Sequence, residues 1–182
     1  MLRLNEHPSR EDAIKFLSMS SMFGNLGLFI GAGFSKAVMN HGLDQIALSW
    51  DQLLEQASEK LEVDYSDIWK EGVGYPDVAS SVCAQHSKEK GGSYKDALSK
   101  LKREIATLTS WYPDKENREK FSHYLENLSP SWVITTNYDL IIESLMTGQC
   151  VPLGPDESLS APKGQVPIYH LHGIRTNPEG II

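Results

Sequence analysis

The stretch Leu26–Ala37, LGLFIGAGFSKA, gives the clearest indication of the fold, because it combines an apolar run with a glycine-rich turn. A short and mostly apolar run ends abruptly in Gly31-Ala32-Gly33, and Ser35 follows two positions later. A continuous apolar run bounded by glycines is typical of a buried strand, so we predict a strand over Leu26–Ile30. We also predict a helix that opens at Ser35 and runs to about Val38.

The two glycines after this strand suit an anionic ligand. A residue without a Cβ atom lets a phosphate approach the main chain, and the N-terminus of a following helix offers unpaired N–H groups and partial positive charge. The pattern is not a full GxGxxG, because Lys36 stands where the third glycine would be. The alternative is a tight turn from strand to helix that binds nothing, and the stretch alone leaves both interpretations open.

Composition bounds the class of protein. The chain has 182 residues, 40% hydrophobic and 23% charged, with a net charge of −7, which is ordinary for one globular domain and argues against a nucleic-acid-binding face. Its two cysteines, Cys83 and Cys150, form no CxxC pair, so the sequence gives a cysteine zinc site no support. The N-terminus lacks an apolar signal core, and no run approaches the roughly 18 apolar residues of a membrane span. We therefore predict a cytoplasmic protein with no membrane contact.

Further strands are predicted in the last third of the chain. Trp132–Thr135 and Pro167–Gly173 are rich in β-branched and aromatic residues, and a short strand is possible near Val151. Strands that alternate with helices predict an α/β domain with a parallel sheet. A doubly wound sheet usually has about six strands. We therefore expect the domain to be incomplete at its C-terminus, with Ile181-Ile182 beginning another strand.

Helical periodicity fills the remainder of the chain. The first predicted helix begins near Arg10, and its pattern fades by Asn25; a second begins after Ser49. Further helices are predicted over Asp77–Lys88, Tyr94–Ser110, Lys115–Leu128 and Asp139–Met146. The helices of the middle third form an insertion over about 51–129, within one domain that spans 1–182.

A polar stretch follows the second predicted strand. In Thr135-Thr136-Asn137-Tyr138-Asp139 the side chains lie at the carboxyl end of a buried strand, where open α/β sheets bind ligands. Asn137 can orient a sugar hydroxyl or a water, and Asp139 can accept hydrogen bonds from ribose hydroxyls. The alternative is that Asn137 or Asp139 only caps a helix, and this stretch by itself favours capping.

Two histidines lie in the third strand-end stretch, Tyr169–Gly173. Residues two apart on a strand face the same way, so His170 and His172 could form a metal pair, although no third ligand is obvious. His172 could instead act as a general base near neutral pH. The alternative is a satisfied core or edge histidine, which we prefer for His170 and leave open for His172.

Taken in order, three stretches resemble the hallmark motifs of one family. GAGFS with SWDQLL, then TTNYDLIIES, then YHLHG resemble the sirtuin superfamily, in the divergent sirtuin-like form found in bacterial anti-phage defence proteins. The resemblance runs from about Leu26 to Gly173. It implies a Rossmann-like fold that binds NAD.

The resemblance also implies a role for each matching residue. It implies pyrophosphate contacts by Gly31, Ala32, Gly33 and Ser35, further NAD contacts by Thr136 and Asp139, and catalysis by Asn137 and His172. Thr136 stands where deacylating sirtuins have glutamine. The Pro-Asp-Phe-Arg segment and the four zinc cysteines of those enzymes are absent. These departures favour hydrolysis of NAD as substrate, without zinc, over deacylation.

The expected biological role follows from the same resemblance. It implies an NADase that depletes NAD⁺ in anti-phage defence, and that works as a homo-oligomer or with a regulating partner. The alternatives are an NAD-dependent protein deacylase and a non-catalytic module that binds NAD or ADP-ribose or supports assembly. An α/β domain whose motifs match by coincidence is the least specific interpretation.

Overall fold

The computed structural model describes residues 8–40, 44–157 and 161–181. The strands of the described chain form one four-stranded, all-parallel sheet in the order β1-β2-β4-β3. Its members are β1 (Gly27–Ile30), β2 (Trp132–Thr135), β3 (Cys150–Leu153) and β4 (Val166–His170). The predicted α/β class with a parallel, Rossmann-like sheet is confirmed, and the possible strand near Val151 is present as β3.

The register brings three strand ends together. Ile30 of β1 pairs with Thr135 of β2, and Thr135 pairs with His170 of β4. These three residues are the last of their strands. Because the strands are parallel, the chain leaves all three at the same edge of the sheet. The stretches that follow β1, β2 and β4 therefore meet there.

Helices surround the sheet. They are α1 (Arg10–Met22), α2 (Ala32–Met39), α3 (Trp50–Lys60), α4 (Tyr65–Ile68), α5 (Tyr75–Lys90), α6 (Tyr94–Leu108), α7 (Lys115–Leu128) and α8 (Ile141–Leu145), with a 3₁₀ turn at Pro178–Gly180. A capping box begins each of α1, α3 and α6. In each, the N-cap serine side chain accepts from the backbone N–H three residues later, and the side chain of that residue accepts from the serine N–H. Among the described residues no helix is both long and apolar enough to cross a membrane.

Two apolar clusters hold the molecule together. One lies on the sheet and includes Val133 and Ile168, both fully buried, with residues of α2, α7 and α8. The other lies among α3, α5 and α6, where Leu61 and Leu101 are buried. Tyr138, in the loop after β2, belongs to the second cluster and so joins the helical region to the strand ends.

The structure corrects the predicted start of α2. The helix begins at Ala32 rather than at Ser35, because Gly31 is its N-cap and has an extended backbone with φ −125°. The N-terminal turn of α2 therefore contains Gly33 and directly follows β1. α8 in turn begins at Ile141 rather than at Asp139, because the Asp139 side chain accepts a hydrogen bond from the Ile141 N–H.

The predicted end of the last strand is also wrong. β4 stops at His170, and the chain turns through Gly173, whose φ is +95°. A Cβ atom there would lie 2.5 Å from the carbonyl oxygen of Gly180, so the turn requires glycine. His172 lies beyond the strand, and the two histidines do not share a strand face: His170 is 1% exposed and His172 is exposed. Ile181 is buried but lies in no strand, and Ile182 lies outside the described residues.

Candidate functional site

Three side chains from two strand ends form a hydrogen-bond chain, here called the strand-end network. The Asn137 side-chain amide donates to Ser35 Oγ over 2.9 Å, and Ser35 Oγ donates to Asp139 Oδ2 over 2.8 Å. Ser35 lies on α2, and the other two lie in the loop after β2. All three are at most 6% exposed. The fold thus brings together three of the predicted site residues from positions about a hundred residues apart.

The Asp139 carboxyl lies in an environment that opposes its ionisation. Burial raises the pKa of this carboxyl above its usual 3.8, and the charge of Glu143 adds to the rise. The hydrogen bonds from Ser35 and from the Ile141 N–H act in the opposite direction. A positive charge that developed nearby would stabilise the ionised carboxylate, so this group is suited to a cationic partner.

The backbone of Asn137 is held on both sides. Its N–H donates to Thr135 Oγ1 over 3.0 Å, and its carbonyl oxygen accepts from His170 Nδ1 over 2.8 Å. With the side-chain bond to Ser35, all three polar parts of this residue are engaged. The Asn137 amide therefore has a defined position at the sheet edge.

Glu143 is a component of the site that the sequence reasoning missed. Its Oε1 lies 2.8 Å from His170 Nε2; the His170 side chain is fully buried and that of Glu143 is mostly buried, with 13% exposure. Burial alone would lower the pKa of His170, but the hydrogen bond and charge of Glu143, with the Asn137 carbonyl, raise it above its usual 6.5. The signal was available: a histidine expected in the core needs a hydrogen-bond partner, and α8 carries one acidic residue, Glu143.

A narrow cleft lies beside the strand-end network. Its cavity volume is about 20 Å³, enough for a single water molecule. The lining residues are Ala32, Ser35, Leu48, Ser49, Trp50, Leu53, Thr109, Trp111, Asn137, Tyr138 and Asp139. The cleft therefore gives small polar groups access to the network from the side of α2 and α3.

A much larger cavity adjoins the cleft. It measures about 620 Å³, within the range of small-molecule sites. Its walls are apolar and aromatic residues of α3, α5 and α6, and Thr136 and His172 lie along its sheet side. The Trp50 ring packs edge-on against His172, with centroids 6.4 Å apart, and stacks on Tyr75 at 6.0 Å.

The two predicted catalytic residues line different spaces. Asn137 lines the narrow cleft and His172 lines the large cavity, while Trp50 and Tyr138 line both. The Trp50 and Tyr138 rings contact each other edge to face, with centroids 5.1 Å apart. These two aromatic side chains thus form the boundary between the predicted nucleophile-orienting amide and the predicted base.

Gly31 and Gly33 have open surroundings. A Cβ atom on Gly31 would meet only Thr136 Oγ1, at 3.7 Å, and one on Gly33 would meet nothing within 4 Å. Neither glycine has a positive φ. Neither the backbone conformation nor the packing of the described residues therefore requires glycine here, which weakens the interpretation as a tight turn and favours a ligand that approaches the main chain.

A metal centre has no candidate in the described ranges 8–40, 44–157 and 161–181. No group of three or more histidine, cysteine, aspartate or glutamate side chains in them is placed to hold an ion. His170 is instead bonded to a carbonyl and a carboxylate.

Neither a scan of family models nor a search of curated proteins relates this chain to a family. A scan against models of protein families finds none that matches the chain. A search of curated proteins finds no match. The indications of function therefore lie in the geometry of the site and in the sequence motifs.

Proposed function

We propose that this chain is an NAD⁺ glycohydrolase of the sirtuin-like kind, which cleaves NAD⁺ to nicotinamide and ADP-ribose. The observation that carries the proposal is the strand-end network of Ser35, Asn137 and Asp139, whose narrow cleft adjoins the large cavity lined by His172. The ordered motifs that contain these residues support the same activity. The alternative of coincidental motifs would not require their side chains to meet.

The pyrophosphate would lie against the start of α2. This helix begins directly after β1, and its N-cap Gly31 leaves the main chain uncovered. Unpaired N–H groups at a helix N-terminus bind phosphate oxygens, and the helix dipole adds to the attraction. Gly31, Ala32 and Gly33 would supply these contacts. Ser35 would then act one turn further on, through its bonds to Asn137 and Asp139.

The hydrolysis needs no acid at the leaving group. Water attacks C1′ of the nicotinamide ribose while the bond from C1′ to the ring nitrogen breaks. The bonding electrons pass to that nitrogen, and the cationic ring leaves as neutral nicotinamide. The sugar becomes positively charged in the transition state, and the Asp139 carboxylate, disfavoured when ionised alone, would be stabilised by that charge.

Asn137 and His172 would act on the nucleophile. The Asn137 amide would orient the water or a ribose hydroxyl. His172 would accept the proton lost by the attacking water, directly or through a ribose hydroxyl. The ribose would have to lie across the boundary formed by Trp50 and Tyr138 to reach both residues. Thr136, which lines the large cavity, would contact the nicotinamide end of NAD⁺.

The biological role is proposed from the resemblance alone. Divergent sirtuin-like domains of this kind deplete NAD⁺ during phage infection. We infer that this chain acts in the same way and that its activity depends on self-association or on a regulating partner. Self-association is tested by measuring NAD⁺ turnover per protein molecule as a function of protein concentration, because turnover then rises with concentration.

One observation favours a second candidate function. The large cavity beside His172 is mostly apolar and has a volume of about 620 Å³, which is room for an acyl chain. An NAD-dependent protein deacylase would use such a cavity for the acyl group of its peptide substrate. The two activities differ in one requirement, because a deacylase releases nicotinamide only when an acylated peptide is present.

The deciding experiment follows NAD⁺ by proton NMR with the wild type, with His172→Ala and with His123→Ala as a matched control. His123 is an exposed histidine on α7 that contacts Asn127. We expect nicotinamide to appear without any peptide, a fall of about 10²-fold or more in His172→Ala, and no change in His123→Ala.

Three other outcomes would contradict the proposal in different ways. Release that requires an acylated peptide would establish the deacylase. Shifted NAD⁺ signals without product, in a sample titrated to high protein concentration, would establish a binding module. Equal turnover in the wild type and in His172→Ala would remove His172 from the mechanism.

A further inference from the structure

His170 is a buried titratable residue that the proposed reaction does not use. The residue is 1% exposed, and both ring nitrogens have partners: the carbonyl oxygen of Asn137 at Nδ1 and the carboxylate of Glu143 at Nε2, each at 2.8 Å. The three residues belong to β4, to the loop after β2 and to α8. The imidazole thus links the end of β4 to the loop after β2 and to α8, and it contacts the strand-end network at Asn137.

The partners determine where the protons lie. A carbonyl oxygen only accepts, so Nδ1 carries a hydrogen and donates it to Asn137. The proton between Nε2 and the carboxylate can belong to either group. The other nearby acid is Asp139, and both acids favour the charged ring, as does the Asn137 carbonyl. Cys150 lies near Glu143 as well, and its thiol stays neutral because burial raises its pKa to about 11.

We propose that His170 is a positioning residue, an imidazolium that takes Glu143 as its counter-charge and fixes the Asn137 carbonyl in place. Through that carbonyl it sets the orientation of the peptide that leads to Tyr138 and Asp139. The position of the Asn137 amide over the narrow cleft depends on the same peptide. The effect on turnover rests on the proposed NAD⁺ hydrolysis, while the effect on Asn137 does not.

The remaining contacts of Asn137 explain why this bond matters. Its N–H is bonded to Thr135 Oγ1 of β2, which is a rigid strand end. Its side chain is bonded to Ser35 of α2. The bond to His170 restrains the peptide between Asn137 and Tyr138 at its carbonyl oxygen, and the next carbonyl, that of Tyr138, accepts from the Arg175 N–H. Loss of the His170 bond would therefore loosen the peptide next to Asn137 while the contacts of its N–H and side chain remain.

The first test compares two substitutions at one position. His170→Asn keeps an N–H close to the place of Nδ1, whereas His170→Leu has no donor. A misplacement of about 1 Å can cost about 10²-fold in rate, so we expect kcat to fall by about that factor in His170→Leu with little change in KM. His170→Asn should recover most of the loss. Equal kcat values in the two variants would overturn the proposal.

A matched control is available at His86. Its Nδ1 lies 2.7 Å from the carbonyl oxygen of Leu61, the same kind of bond, but on α5 and away from the strand ends. His86→Leu removes a histidine–carbonyl bond without touching Asn137. We expect its kcat and KM to match the wild type. A loss as large as that of His170→Leu would mean that the effect is general destabilisation, and would overturn the positioning role.

The second test needs no activity. Nitrogen-15 NMR of the wild type near neutral pH should show a hydrogen on both ring nitrogens of His170, and on Nδ1 alone in Glu143→Gln. The side-chain amide signals of Asn137 should shift in His170→Leu and not in His86→Leu. A neutral His170 ring in the wild type, or unchanged Asn137 signals in His170→Leu, would overturn the proposal. Because these signals do not depend on turnover, a chain that fails to hydrolyse NAD⁺ still tests the positioning role.

Discussion

At the scale of single residues, the site depends on one serine oxygen with two partners. Ser35 Oγ accepts from the Asn137 amide and donates to the Asp139 carboxylate, and the side chain is 2% exposed. A hydroxyl is the smallest group that can donate and accept at once, so it can join an amide donor to a carboxylate acceptor in a small space. The order of the chain, from Asn137 through Ser35 to Asp139, follows from this property.

Replacement of Ser35 by alanine should therefore remove the partner of the buried Asn137 amide and of Asp139 Oδ2, while Asp139 Oδ1 keeps its bond from the Ile141 N–H. We expect Ser35→Ala to lower the free energy of unfolding by about 1–3 kcal/mol, measured by urea denaturation. Ser58→Ala is the control, because Ser58 is also fully buried but donates only to the Leu54 carbonyl within its own helix. A similar loss in both variants would mean that the strand-end network contributes nothing specific.

The N-cap glycines of α2 and α5 allow a test of ligand approach. Gly31 and Gly74 are both N-caps without a positive φ, and each has open space or only a loose contact at the Cβ position. We expect Gly31→Ala and Gly74→Ala each to change the unfolding free energy by less than about 1 kcal/mol. Only Gly31→Ala should weaken NAD⁺ binding, measured by isothermal titration calorimetry. Equal affinities in the two variants would show that no phosphate contacts the main chain at Gly31.

At the scale of elements, β4 and α8 are joined through the hydrogen-bonded pair of His170 and Glu143. His170 ends β4, and Glu143 lies on α8, which is only five residues long and has no side-chain cap. A helix this short gains little from its own hydrogen bonds, so its position depends on tertiary contacts. The buried residues Ile141, Ile142 and Leu145 supply the apolar part of those contacts, and the bond to His170 supplies the polar part.

This pair gives stability a defined pH dependence. The pKa of His170 is raised above 6.5 in the folded protein, chiefly by Glu143 against the opposing effect of burial. The stabilisation is therefore fully present below pH 6.5 and is lost as the pH rises through the raised folded value. We expect the difference in unfolding free energy between the wild type and His170→Asn to fall with rising pH, by at most about 1.4 kcal/mol per pH unit. Urea denaturation of both proteins from about pH 6 to about pH 9 measures it, and a flat difference would mean that His170 is neutral when folded.

At the scale of the whole molecule, the candidate site lies where two apolar clusters meet. The sheet cluster contains Val133, and the helical cluster contains Leu101. Tyr138 contacts Trp50 of α3 from the loop after β2, and Ile181 is a buried member of the helical cluster. The narrow cleft is lined by Leu53 of the helical cluster and by Trp111, which packs against the sheet cluster. The large cavity beside it is lined by the helical cluster and by Thr136 and His172 beyond the strand ends.

The two clusters should differ in how they respond to a buried truncation. We expect Leu101→Ala to lower the global stability by about 2–5 kcal/mol, and to speed amide hydrogen exchange in α3, α5 and α6 more than in β2. Val133→Ala in β2 should show the reverse pattern. Both residues are at most 1% exposed, so the two substitutions are matched in burial. Uniform acceleration across all elements in both variants would mean that the chain opens as a single cooperative unit.

Several elements were predictable from local pattern because their signals are local. β2 over Trp132–Thr135 and α7 over Lys115–Leu128 have the predicted bounds, since a proline and a capping Asp114 mark where they begin. The start of α2 and the end of β4 were not predictable. Each depends on a glycine whose backbone conformation, extended at Gly31 and left-handed at Gly173, is decided by the chain that packs around it.

The sequence by itself determined the α/β class, the parallel sheet and the three polar stretches, because apolar periodicity and glycine positions are properties of neighbours along the chain. Only the tertiary structure decided that Ser35 bonds to both Asn137 and Asp139 and that Glu143 partners His170. It also decided that Trp50 and Tyr138 line both the cleft beside Asn137 and the cavity beside His172. The physical reason is register. Residues about a hundred positions apart meet only because Ile30, Thr135 and His170 are aligned in adjacent parallel strands, and that alignment comes from the packing of the whole sheet.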